Sequence, residues 1–125
     1  MTGYQAAQQV IEDVGRALEA VQIDALTTLD PAEAGAALGA GRPVVLAGPP
    51  TTTWETYHVA VHAFEVLVIS TDTDPLTAWP ELDALAEQLV EPLALDTSRV
   101  TTWQPAHGDP WPCLVLTLDT TTTRE

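Results

Sequence analysis

Lysine and asparagine are absent from this 125-residue chain, and cysteine, methionine and phenylalanine each occur once. Without lysine there can be no Walker A phosphate loop, no Schiff-base lysine and no Ser-Lys nucleophile pair. A lone Cys113 cannot close an intrachain disulfide, which suits a reducing compartment. Basic charge is scarce: four arginines face 18 acidic residues, for a net charge of −14. Such a chain has no patch able to neutralise phosphates, so nucleic-acid binding by counterion release is not expected. The N-terminus lacks the basic and apolar regions of a signal peptide, and no apolar run reaches bilayer length. A soluble, acidic protein that does not enter membranes is the expectation.

The residues present describe a folded domain. Hydrophobic residues make up 46% and charged residues 18% of the chain, and the length fits one domain over residues 1–125 with a modest core. Thr2-Gly3-Tyr4-Gln5 reads as a capping box. Behind it Tyr4, Ala7, Ile11, Val14, Leu18 and Val21 form one helical stripe, which predicts a helix over about 3–21. Glu12 and Arg16 are spaced for an ion pair on its wet face.

Ile23–Leu29 suits a strand, and Asp30-Pro31 a second helix start. Gly35, Gly39 and Gly41 limit that segment to one or two weak turns. Pro43–Ala47 reads as an apolar strand and the stretch from Gly48 through Thr53 as an exposed, mobile loop. Thr56–Ser70 is the longest strand candidate. Its second half is apolar on both faces, as in a central strand, and Glu65 interrupts the pattern as at a sheet margin or subunit contact.

Asp72-Thr73-Asp74-Pro75 predicts a turn, followed by a helix over about 78–91 capped by Thr77. Leu82, Leu85 and Leu89 form its buried stripe, Glu81, Glu87 and Glu91 face water, and Pro92 ends it. Arg99–Gln104 and Cys113–Thr120 pattern as a strand pair, with a fraying tail after Thr120. The predicted class is α+β: one mostly antiparallel or mixed sheet packed by two amphipathic helices.

Chemistry is sparse. His58 and His62 are four apart on a strand, about 13 Å from one another, and cannot share a metal ion. His107 lies near Asp109 in a Pro-rich loop but needs ligands from elsewhere. Asp72-x-Asp74 lacks the rest of a calcium loop. Gly39-x-Gly41 lacks the third glycine of a dinucleotide motif. Neither Ser70 nor Ser98 occupies a nucleophile elbow. No catalytic, cofactor-binding or metal residues are assigned, and the chain is read as a non-enzyme that needs no cofactor. Trp54 and Trp111, flanked by Thr/Pro-rich loops, are candidate partner anchors, because tryptophan is enriched at interface hot spots. Pro49, Pro50, Thr52 and Glu65 complete the candidate interface.

The order of elements resembles that of tail terminator proteins of long-tailed bacteriophages. The resemblance runs from the helix opening Tyr4-Gln5-Ala6-Ala7 through Pro43–Ala47 and the Gly-Pro-Pro-Thr loop around Trp54. It continues along the strand His58–Ile69, the helix Leu82–Leu89 and the closing Leu114-Val115-Leu116. It implies a virion subunit, assembled in the host cytoplasm, at the head-proximal end of the tail. Such proteins form homo-oligomeric rings, commonly hexamers, that bind the major tail tube protein, stop its elongation and join the tail to the head-tail connector. DNA passes through without specific binding, which an acidic lining would suit. Another phage neck or head-completion protein is the near alternative. A small ligand-binding or hydrolytic α+β domain is the distant one.

Overall fold

The computed structural model describes residues 2–105 and 108–123. Helix α1 spans Gly3–Ala20 and starts from the predicted capping box: Gln5 N donates to Thr2 Oγ1 at 3.1 Å and Thr2 N to Gln5 Oε1 at 2.8 Å. Its buried stripe is Ala6, Ala7, Val10, Val14 and Leu18, while Tyr4 is exposed. The predicted stripe otherwise faces the core: Ala7, Val14 and Leu18 are buried in it and Ile11 and Val21 pack against it, so only Tyr4 departs from the expectation. Gly15 marks the closest approach: a Cβ there would lie 3.1 Å from Thr27 Cγ2. Arg16 pairs with Asp13 at 2.8 Å and not with Glu12.

Strand β1 (Leu26–Thr28) leads into helix α2 (Pro31–Gly39), capped by the Asp30 side chain, which accepts from Ala32 N at 2.9 Å. This is a nine-residue helix, not the one or two weak turns predicted. Tertiary packing outweighs the helix cost of its glycines, since Ala34 and Leu38 are buried against the sheet. Strand β2 (Val44–Ala47) pairs in parallel with β1, and α2 supplies the crossover that parallel pairing requires.

The stretch read as a mobile loop contains strand β3 (Thr51–Trp54), antiparallel to β4 (Val59–Ile69). Three β-branched threonines take an extended backbone readily once a partner strand lies alongside. Helix α3 (Pro75–Leu93) begins three residues before the predicted start and is capped by Asp74, not Thr77. Strands β5 (Thr97–Trp103) and β6 (Trp111–Thr123) form the predicted antiparallel pair. The expected fraying after Thr120 does not occur through Thr123, because β6 pairs with β4 as far as Val59↔Thr123.

Among the described residues six strands form one mixed sheet, ordered β1-β2-β4-β6-β5, with β3 beside β4 on the β2 side. The fold is α+β, as predicted, with three helices among the described residues instead of two. Helices α1 and α3 bury one face, packing Val14, Leu18, Leu85 and Leu89 on Val45, Phe64, Val66, Leu114 and Leu116. Helix α2 covers part of the other face over Val44, Ile69, Cys113 and Val115. Strand β4 is therefore apolar on both sides, as its sequence predicts. Glu65 lies in this central strand and not at a margin. It is exposed because β2 pairs with Val66–Ile69 and β3 with Ala60–Ala63, leaving a break between them.

All three helices end in the same hydrogen-bond pattern. Ile23 N donates to Leu18 O, Arg42 N to Ala37 O and Leu95 N to Val90 O, each with a second, shorter-range bond. This is the Schellman motif, whose penultimate residue adopts a left-handed backbone. Gly41 suits that position with φ +83°, whereas Gln22 (φ 66°) and Ala94 (φ 48°) adopt it with a side chain.

Candidate functional site

The most exposed aromatic surface is the tip of the β3–β4 hairpin. Glu55 N donates to Val59 O at 3.0 Å, and Thr56 Oγ1 accepts from His58 N and Val59 N at 3.1 and 3.2 Å. These bonds hold the tight turn while leaving its rings outside. Trp54 is 60% and Tyr57 77% exposed, and the Tyr57 and His58 rings lie 3.9 Å apart with their planes tilted by 40°.

The base of the hairpin is pinned from within. His62, 3% exposed, shares a hydrogen bond with Thr52 on β3 (Nδ1, 2.8 Å) and another with Thr122 on β6 (Nε2, 2.9 Å). A buried polar ring is tolerated because both nitrogens are satisfied. The start of α1 closes over it, with Gly3 beside Pro50 and His62.

The candidate interface residues fall in different settings. Pro49 is exposed and Pro50 half-buried at the entry to β3, and Trp54 is at the tip. Thr52 is half-buried with its hydroxyl directed to His62. Glu65 stands on the α2 side, 4.0 Å from Arg99, at the edge of a groove of about 560 Å³ that also includes Pro49, Leu67 and Thr117. Trp111 lies opposite Trp103, and both pack against the α2 cluster. The hairpin thus gathers Pro49, Pro50, Thr52 and Trp54, whereas Glu65 and Trp111 belong to the other face.

Two features escape sequence reading. Tyr57 joins Trp54 only because β3 is a strand, which makes the intervening residues a turn. A hollow of about 450 Å³ lies where α1, α3 and β6 meet, lined by Val10, Ala17, Pro92, Leu93 and Leu118 together with the polar Asp13, Arg16, Asp119 and Thr120. Its residues are far apart in the chain, and no local pattern announces it.

Glu12, Asp13 and Glu19 on α1, and Glu81, Asp83, Glu87 and Glu91 on α3, are all exposed on the helical side of the sheet. Among the described residues no group of three or more His, Cys, Asp or Glu side chains is arranged to hold a metal ion. His107, weighed as a ligand, lies outside the described residues. Among the described residues no helix is long and apolar enough to cross a membrane. Cys113 is fully buried, and burial pushes its thiol up to about 11, with Arg99 drawing it slightly back. A thiol so placed is a poor nucleophile. No protein-family model matches the chain, and no curated protein matches it.

Proposed function

We propose that this protein is a structural assembly subunit: a ring-forming tail terminator that caps the tube of a long-tailed bacteriophage and joins it to the head. The observation that carries the reading is the β3–β4 hairpin, which holds Trp54 and Tyr57 in solvent on a base fixed by His62. A pinned base with exposed aromatics at its tip is suited to docking, because little conformational freedom remains to be lost on binding. The acidic helical side adds support, since a surface of that sign repels a passing polyanion. In this reading the partners are further copies of the chain, the tail tube protein and the connector.

The test is to image the purified protein by negative stain and to mix it with polymerising tail tubes. Rings of identical subunits, and tubes that stop growing once the protein is added, are expected. A protein that neither assembles nor binds tubes would overturn the proposal. Reversing several acids on α1 and α3 to Lys should create DNA binding and impair DNA passage. Unchanged DNA binding and infectivity would remove the acidic-channel part.

A further inference from the structure

Half of the sheet has two open edges. In its lower half only β3, β4 and the end of β6 are present, because β5 pairs with β6 no further than Thr117. The outer side of β3 (Thr51–Trp54) and the outer side of Leu118–Thr123 therefore carry no strand among the described residues. Both strands run antiparallel to β4, so they are parallel to one another. They occupy the same rows: Thr52 and Thr120 both lie opposite His62, and Trp54 and Thr122 both lie opposite Ala60. Edges of this kind are usually blunted by Lys, Pro or charge. Within these ten residues only Asp119 is charged.

The same arrangement aligns a knob with a hole. Trp54 shares the sheet face of His62 and Phe64, the face that α1 and α3 cover. The hollow between α1, α3 and β6 opens on that face, directly beside the free β6 edge at Leu118–Thr120. A β3 strand placed against this edge would bring its Trp54 within one row of the hollow, about 7 Å. An indole or a two-residue stagger spans that distance. Arg16 stands in the wall of the hollow together with Asp13 and Asp119, and Asp13 holds one end of its guanidinium. An indole over Arg16 would gain a cation–π contact as well.

Resting on the ring-forming reading above, we propose that the ring closes head to tail. The β3 edge of one copy pairs in parallel with the β6 edge of the next, and Trp54 seats in the neighbour's α1–α3–β6 hollow. The two surfaces differ, so the contact is heterologous and repeats around a closed ring.

Mixed variants test it, read by native mass spectrometry with circular dichroism to confirm folding. Trp54→Ala removes the knob and Ala17→Arg fills the hole; Thr120→Arg, at the rim, replaces the latter if it fails to fold. Each variant alone should lose the ring entirely. An equimolar mixture should yield one-to-one dimers and nothing larger, since each copy keeps one competent surface. If the wild type forms rings and either variant still does, or if the mixture gives no dimer, this interface is wrong while the ring-forming reading stands. A wild type that stays monomeric at tens of micromolar overturns both.

Discussion

His62 Nε2 reaches past Thr120, its direct neighbour across the β4–β6 ladder, to Thr122 Oγ1 at 2.9 Å. Its other nitrogen meets Thr52, directly opposite on β3, at 2.8 Å. One buried side chain thus fastens three strands at the point where the sheet narrows. Replacing it by Ala should leave a cavity and two hydroxyls without their partner, at a cost of about 2 kcal/mol. Thr122→Val should cost about 1 kcal/mol. A double-mutant cycle by urea unfolding should show a coupling of about 0.5 kcal/mol or more. Additive effects would mean that the bond contributes nothing.

Ala94 ends α3 in a left-handed backbone at φ 48°. A Cβ in that region costs roughly 1–2 kcal/mol, which glycine avoids, though glycine is more flexible in the unfolded chain. Ala94→Gly should therefore raise stability by about 1 kcal/mol, seen as a higher urea midpoint with unchanged slope. Gln22→Gly should act in the same direction at the end of α1. A lower midpoint for both would contradict the Schellman assignment.

Asp119 has its carboxyl raised above the ordinary range, by partial loss of hydration first and then by the charge and hydrogen bond of Asp96. A raised acid holds its proton longer in the folded state than in the unfolded one. Stability thus falls as pH rises from the ordinary carboxylate value through the raised one, and the deficit persists above it. Asp119→Asn should stabilise the protein at neutral pH by roughly a few tenths of a kcal/mol, because the pair is exposed and screened. The gain should vanish below the carboxylate range and shrink with salt. A constant gain across pH would assign the effect to something other than charge.

Cys113 is buried with its thiol pushed up to about 11. Iodoacetamide should leave the native protein unmodified over hours at neutral pH. In urea, labelling should rise in step with loss of circular dichroism, since access requires opening of the sheet. Rapid native labelling would show that the β6 side of the core opens locally.

The boundaries that local chemistry sets were legible in the residues. The Thr2–Gln5 box starts α1, Leu82, Leu85 and Leu89 mark the buried side of α3, and two-sided apolarity identifies β4 as central. What was misread depended on partners distant in the chain. Thr51-Thr52-Thr53 after two prolines has the composition of a loop and became a strand because β4 lies beside it. The glycines of α2 argue against a helix until Ala34 and Leu38 find a sheet to cover.

For function, the sequence by itself determined the charge, the absence of lysine and the apolar periodicities, because each is a property of composition or of near neighbours. Only the tertiary structure decided where these properties meet. It made His62 a pin between three strands, joined Tyr57 to Trp54 at a hairpin tip, and left two parallel edges open in one half-sheet. These depend on strand order and register, which arise from contacts far apart in the chain that no local pattern encodes.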